Sequence, residues 1–206
     1  MRLYIIRHGE TQWNREGRLQ GQTDIPLNEK GRAVAQAAAR GMREIPFDLA
    51  FTSPLSRARE TAEIILQDRK VPVIPDRRIE EINFGSMEGC RARDPDGRIV
   101  EPFFRTFFEN PSCYVPPEGG ETIRQLCERT GNFLDELKTR EDLKDKTVLA
   151  ATHGAASRGL LLHITGKPVS EFWGKGVPKN CSVSVAELEN GEWILKEQDV
   201  CYYENF

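Results

Sequence analysis

Two of the chain's three histidines stand in the same local setting. His8 closes the run Leu3-Tyr4-Ile5-Ile6-Arg7, and His153 closes Thr147-Val148-Leu149-Ala150-Ala151-Thr152; a glycine, Gly9 or Gly154, follows each. A neutral imidazole offers a nucleophilic lone pair on one nitrogen and a hydrogen-bond donor on the other. An adjacent arginine adds a permanent, forked positive charge that matches phosphate oxygens. The chemistry open to these residue types is attack of His8 on phosphorus, with Arg7 holding the phosphate oxygens. A single histidine after a strand also serves as an ordinary core residue, and it is the recurrence of the pattern on two strands that argues for one shared site. His163 falls late in a predicted helix, where a dipole or packing role is expected.

Further candidate groups lie between these runs. Arg57 and Arg59 fall in the first turns of a helix that Ser53 is expected to cap and Pro54 to open. Cations there oppose the helix dipole at a cost of a few tenths of a kcal/mol, roughly. A phosphate docked at the same end reverses that sign, so either arginine is a candidate second phosphate ligand. Glu80 and Glu81, flanked by Ile79 and Ile82, project to opposite sides of an extended chain. A carboxyl group held near a bound phosphate gains a raised pKa and can act as a general acid. Asn14, Gln20, Gly21 and Thr23 belong to a polar loop after His8 that is too rich in glycine and amides for a regular element. Gly9 is expected to let backbone approach a ligand closely or to take a positive φ.

These groups need elements that bring them together. Leu3–Ile6, Leu49–Thr52 and Thr147–Thr152 read as buried strands of a mostly parallel sheet, whose ligands gather at the strands' carboxyl ends. Asn28 is expected to cap a helix whose apolar positions include Val34, Ala38 and Met42. Thr122 and Gln125 have capping-box spacing ahead of a long amphipathic helix, with Arg129 on its solvated outer face. A helix is expected from Ala155 to about His163. Asn190-Gly191 between two alternating segments is a hairpin signal, which adds an antiparallel edge to the sheet. The fold class is therefore α/β, a three-layer sandwich with helices on both faces. Residues 90–118 break the pattern with prolines and with Phe103, Phe104, Phe107, Phe108 and Tyr114. They read as an inserted cap with a short helix, or as a locally packed excursion.

Composition narrows the function classes. A length of 206 residues suits one domain with an insertion. A net charge of −3 argues against a nucleic-acid partner working through overall charge. No apolar run reaches the roughly 20 residues that span a bilayer. The chain opens directly on a strand rather than a signal peptide. Its five cysteines are widely spaced, with no Cys-x-x-Cys pair, as in reduced cytoplasmic proteins. Asp94-Pro95-Asp96-Gly97 follows Arg91-Ala92-Arg93 rather than an apolar strand, so it reads as a turn and not as a nucleophilic aspartate motif. No cysteine has an arginine six residues later, and neither a phosphate-binding nucleotide loop nor a Gly-x-Ser-x-Gly elbow is present. A dinuclear metal centre needs more ligands than these motifs supply, so neither metal nor cofactor is expected.

Taken together, Arg7-His8-Gly9-Glu10-Thr11 with Asn14, Gly21-x-x-Asp24-x-Pro26-Leu27-x-x-x-Gly31, Ser53-Pro54-Leu55-x-Arg57-Ala58-x-x-Thr61-Ala62, Glu81-Ile82-x-Phe84-Gly85-x-x-Glu88-Gly89, Gly119-Gly120-Glu121-Thr122 and Thr152-His153-Gly154 resemble the histidine phosphatase superfamily, which includes the cofactor-dependent phosphoglycerate mutases. The blocks run in the family's order across nearly the whole chain. The resemblance implies a phosphohistidine on His8, and a phosphate cradle of Arg7, Arg57 and His153. It selects Arg57 over Arg59, and Glu81 over Glu80 as proton donor. It implies further substrate contacts from Asn14, Gln20, Gly21, Thr23 and Gly154. The expected activity is metal-independent hydrolysis of a small phosphomonoester. The alternatives are a cofactor-dependent phosphoglycerate mutase, an α-ribazole phosphatase of cobalamin synthesis, and a non-catalytic phosphate-binding regulator. Met87 and Ala155-Ala156 depart from residues frequent in the family. The mutases of the family carry an Arg-Arg pair in the cap, whereas Arg91, Arg93, Arg98 and Arg105 are dispersed here. Neither a nucleic-acid nor a membrane partner is expected. The oligomeric state is left open, a dimer being compatible.

Overall fold

The computed structural model describes residues 1–92, 94, 96, 98–100 and 102–204. Arg93, together with Pro95 and Gly97 of the expected turn, lies outside them. The first apolar run forms strand β1 (Arg2–Arg7). Where composition argues for an irregular loop, the chain makes a one-turn helix, α1 (Gln12–Arg15), because Thr11 and Asn14 cap each other's backbone reciprocally. Helix α2 (Glu29–Gly41) starts at the expected cap, Asn28, whose side-chain oxygen accepts the Gly31 N–H at 2.7 Å. Strand β2 (Leu49–Thr52) follows.

Helix α3 (Ser56–Leu66) corrects one expectation. Ser53 does not cap it and Pro54 does not open it. The helix begins three residues after Ser53, and its cap residue, Leu55, has no side-chain acceptor. The Asp24 carboxylate takes over, accepting the Ser56 N–H at 2.8 Å and the Ser56 hydroxyl at 2.7 Å. A cap supplied from a distant loop leaves no local signature.

The remaining elements are β3 (Val73–Pro75), α4 (Pro102–Glu109), α5 (Ile123–Thr139), β4 (Thr147–Thr152), α6 (Gly154–Thr165), β5 (Ser182–Glu189) and β6 (Glu192–Cys201). Thr122 and Gln125 form the expected capping box on α5. The β5–β6 hairpin turns at Asn190 and Gly191, whose φ values of 52° and 81° are those a tight turn of this hand requires.

The six strands form one sheet in the order β3-β2-β4-β1-β5-β6. β3, β2, β4 and β1 run parallel, while β5 and β6 supply the antiparallel edge. Alternation along β1 sorts its side chains between two cores. Tyr4 and Ile6 pack with Val34, Ala38 and Ile65 of α2 and α3. Leu3 and Ile5 pack with Phe133, Leu134 and Leu160 of α5 and α6 on the other face. A third apolar cluster joins Phe104 and Phe107 of α4 to Phe84, Tyr114, Phe172 and Trp173.

Register then does the positioning. β1 and β4 are neighbours, with Arg7 paired to Thr152. The residue after each is a histidine, so both imidazoles leave the sheet at one level. Gly9 corrects a second expectation. Its φ is not positive, and its lack of a side chain lets the backbone of Gly31 come close, since a Cβ on Gly9 would lie 2.7 Å from the Gly31 oxygen.

Candidate active site

His8 is buried, and its backbone is held on both sides. Its N–H donates to the Thr152 carbonyl at 2.9 Å, and its carbonyl accepts from Asn180 Nδ2 at 2.9 Å. The ring nitrogen Nδ1 lies 2.7 Å from the Gly9 carbonyl oxygen. A carbonyl can only accept, so the proton resides on Nδ1 and Nε2 carries the lone pair. Burial, then the charges of Arg57 and Arg7, hold the His8 pKa well below the ordinary histidine value, against a weaker opposing pull from Gly9.

His153 lies beside it, with ring centroids 5.1 Å apart. Its Nδ1 faces Arg57 Nε at 3.2 Å. A guanidinium only donates, so this Nδ1 accepts and the proton resides on Nε2. That Nε2 is buried with no partner among the described residues. Burial first, then Arg57 and His8, hold the His153 pKa well below normal.

Arg57 is fully buried in the first turn of α3. Its Nη1 donates to the Thr23 carbonyl at 2.8 Å and its Nη2 to the Gly21 carbonyl at 2.6 Å. Burial lowers its pKa to about 10, opposed by the carboxylates of Glu81, Asp24 and Glu88. Arg7 donates from Nη1 to the Pro178 carbonyl, while its Nε is buried without a partner among the described residues. Arg59, the competing candidate, is exposed and pairs with Glu63 at 3.6 Å.

Glu81 faces the N-terminus of α6. Its Oε1 accepts the N–H groups of Ile82 and Ala156, each at 3.0 Å, and its Oε2 accepts that of Ala155 at 3.2 Å. Its own carbonyl is held by Arg129 Nη2 at 2.9 Å and by Gln22 Nε2 at 3.2 Å. This corrects the reading of Arg129 as a solvated surface charge. Arg129 also binds the carbonyls of Arg78 and Glu80 and pairs with Glu121 at 2.6 Å, so it fixes the segment that carries Glu81.

Arg7, His8, Arg57 and Glu81 line one cavity of about 180 Å³. Asn14, Gln20, Gly21 and Gly154 line it too. Thr11 donates to Asn14 Oδ1 and Gln20 Oε1, which leaves the two amide nitrogens as donors. Thr23 and His153 do not line the cavity: Thr23 bonds through its hydroxyl to Glu88 and through its carbonyl to Arg57, and His153 is fully buried. The opposite wall is aromatic, built from Phe84, Phe104, Phe107, Phe108 and Trp173. Trp173 is pinned by its indole N–H to the Phe107 carbonyl at 2.7 Å.

Sequence reasoning missed several residues that hold this arrangement. Thr61 accepts the Gly9 N–H at 3.0 Å and donates to the Arg57 carbonyl at 2.6 Å, tying the His8 loop to α3. Asn180 and Trp173 lie in the irregular stretch between α6 and β5 and carry no local pattern. Thr61 and Glu88 stand in the sequence only as members of motifs, with no role attached.

A family model described as the histidine phosphatase superfamily, branch 1, matches residues 3–200. Phosphoserine phosphatase 1 of Hydrogenobacter thermophilus is 31% identical to this chain over 207 residues, covering 100% of it and 96% of the relative. A 2,3-bisphosphoglycerate-dependent phosphoglycerate mutase 2 of Gloeobacter violaceus is 34% identical, covering 79% of this chain and 74% of the relative. The solved structure of Bacillus stearothermophilus YhfR superposes with a TM-score of 0.88 at 32% identity, covering 98% of this chain and 99% of that one. With the paired strand-end histidines, the two buried arginines and a family match over nearly its whole length, the chain belongs to the histidine phosphatase superfamily, within its phosphoglycerate mutase-like fold.

Proposed function

We propose that this protein hydrolyses phosphomonoesters through a phosphohistidine on His8, with no metal ion in the reaction. The observation that carries the reading is the unprotonated Nε2 of a buried His8 in one cavity with the buried guanidinium groups of Arg7 and Arg57 and the Glu81 carboxylate. Nε2 attacks phosphorus as the ester P–O bond breaks. Charge spread over the equatorial oxygens meets Arg7, Arg57, the amide nitrogens of Asn14 and Gln20, and the Gly154 N–H, while the Nε2–H of His153, buried beside His8 with no partner among the described residues, supports the same oxygens from behind the cavity wall. Gly21 and Thr23 act one step back, through the carbonyls that hold Arg57. Glu81 protonates the departing alkoxide. It then takes a proton from the water that attacks the phosphohistidine, releasing orthophosphate and restoring the imidazole.

Segment 90–118 serves as a cap, its α4 rings forming the wall that meets the leaving group. An aromatic wall over a small cavity favours a compact leaving group with an apolar face. Hydrolysis is favoured over the mutase alternative because Arg91, Arg98 and Arg105 are exposed and line no part of the cavity, and Arg18, which does line it, is taken up by Glu16 at 2.6 Å and the Gly89 carbonyl at 2.8 Å, so these arginines do not gather on a substrate carboxylate. The test is steady-state hydrolysis of a phosphomonoester panel in excess EDTA, with phosphoglycerate mutase turnover assayed alongside. The expected result is phosphate release that EDTA leaves intact, with kcat/KM highest for esters of apolar alcohols. Mutase turnover above hydrolysis overturns it, as does a wild-type protein that binds phosphate without turning over any ester.

A further inference from the structure

Outside the groups that face the cavity, one carboxylate has more to do than a surface residue requires. Glu88 follows the tight turn at Phe84–Met87. Its Oε1 accepts the Gln22 N–H at 2.8 Å and the Phe84 N–H at 3.2 Å. Its Oε2 accepts the Thr23 N–H at 2.8 Å and the Thr23 hydroxyl. Those donors belong to two parts of the site. Gln22 and Thr23 sit in the loop whose Gly21 and Thr23 carbonyls hold both Nη atoms of Arg57. Phe84 belongs to the aromatic wall. The loop also comes unusually close. Gly21 has a φ of +51°, and a Cβ there would lie 1.9 Å from Glu88 Oε1, so the loop is moulded around this carboxylate.

We infer that Glu88 is a positioning residue for phosphoryl transfer: it holds the Gly21–Thr23 loop so that its carbonyls aim the Arg57 guanidinium, and it fixes the aromatic wall at a set distance from that guanidinium. A charged acceptor suits the role. Each carboxylate oxygen takes two donors, and charge-assisted bonds are about twice as strong as neutral ones. A glutamine has one acceptor oxygen and two N–H groups, so it turns half of the donors into clashes. Glu88 also lies close enough to Arg57 to favour its charged form, which burial disfavours. The inference rests on the phosphohydrolase reading for its kinetics, though not for its phosphate binding.

The test is a double-mutant cycle between Glu88→Gln and Arg57→Ala, read both as kcat/KM on p-nitrophenyl phosphate and as the Kd of orthophosphate by calorimetry. Misplacing a transition-state ligand by about 1 Å costs about 10²-fold. Glu88→Gln should therefore lower kcat/KM by about 10²-fold. In the Arg57→Ala background the same change should cost less than about 3-fold, because the group it aims is gone. Thr23→Val, which removes only the hydroxyl bond to Glu88, should lose about 3- to 10-fold, again only when Arg57 is present. It keeps the inference testable if Glu88→Gln melts well below wild type. Losses that multiply with Arg57→Ala, or an unchanged rate in Glu88→Gln, overturn the inference. If the wild type hydrolyses nothing, the functional reading fails, and the orthophosphate cycle still decides the role of Glu88.

Discussion

The ends of β1 and β4 look alike in sequence and differ in chemistry. Each delivers a histidine followed by glycine, each imidazole is buried, and each has a depressed pKa with burial as its largest cause. What separates them is the partner of Nδ1. At His8 it is the Gly9 carbonyl, an acceptor, which places the proton on Nδ1 and the lone pair on Nε2. At His153 it is Arg57 Nε, a donor, which reverses the assignment. In the proposed mechanism one ring is thereby set as a nucleophile and its neighbour as a hydrogen-bond donor, without either being charged. Two strand ends at the same level of one sheet thus acquire opposite roles from a single hydrogen bond each.

The largest expected effect breaks the comparison outright. His8→Ala should remove turnover by about 10⁴-fold or more, since it deletes the group that receives the phosphoryl in the proposed mechanism. No acid-labile phosphoprotein should be trapped by rapid quench. His153→Ala removes one donor to the transition state, and should cost about 10²- to 10³-fold while leaving trappable phosphohistidine. Glutamine sharpens the contrast. It has an acceptor for Arg57 Nε and a donor for the substrate, so His153→Gln should recover part of that loss. His8→Gln, lacking a nucleophilic lone pair, should recover none. Equal recovery at both positions would contradict the assigned roles.

The tautomers themselves can be read by ¹⁵N NMR of the imidazoles. The expected spectrum at neutral pH has the proton on Nδ1 in His8 and on Nε2 in His153. Both rings should stay neutral well below pH 6.5, so the acid limb of kcat/KM that reports on His8 lies below that value. Arg57 is the largest charge acting on both rings, and Arg57→Ala should move that limb upward. Stability follows the same sign. Between the depressed folded values and about 6.5 the unfolded chain binds protons that the native site does not. The contribution is therefore fully present above pH 6.5 and is lost as pH falls through that window. Urea midpoints that rise as pH falls from 6.5 would contradict this.

The strand ends were legible in sequence because their signal is local: four apolar residues, then the functional pair, then glycine. The helix caps at Asn28 and Thr122 were legible for the same reason. What stayed hidden depends on partners distant in sequence. No spacing rule links Asp24 to the start of α3, Arg129 to the carbonyl of Glu81, or Glu88 to the loop that grips Arg57. The difference between His8 and His153 is of this kind too, since it requires knowing that α3 places Arg57 Nε against one ring and not the other. Residue types name the groups available for the chemistry, while tertiary register decides which proton sits where.

The smallest expected effect concerns how the two strand ends are tied down. β4 runs directly into α6, so His153 is the cap residue of a helix and its carbonyl accepts the Ser157 N–H at 3.1 Å. β1 runs into a loop, and the His8 carbonyl relies on Asn180 instead. Asn180 is in turn held through its own carbonyl by the Tyr203 hydroxyl at 2.6 Å. Asn180→Ala removes the His8 tether and leaves the backbone link to Tyr203 in place. A neutral hydrogen bond of this kind is worth about 0.5–1.5 kcal/mol. The urea midpoint should fall by an amount in that range at unchanged slope, and kcat/KM by a few-fold, through kcat rather than KM. Ser157→Ala removes a side-chain bond to the Gly154 carbonyl but keeps the backbone N–H that holds the His153 carbonyl. It should therefore leave the rate within about 2-fold, within the small effects expected of a change that spares the main-chain ladder. A larger loss at Ser157 than at Asn180 would mean that the donor histidine, and not the nucleophile, is the one held under tension at its strand end.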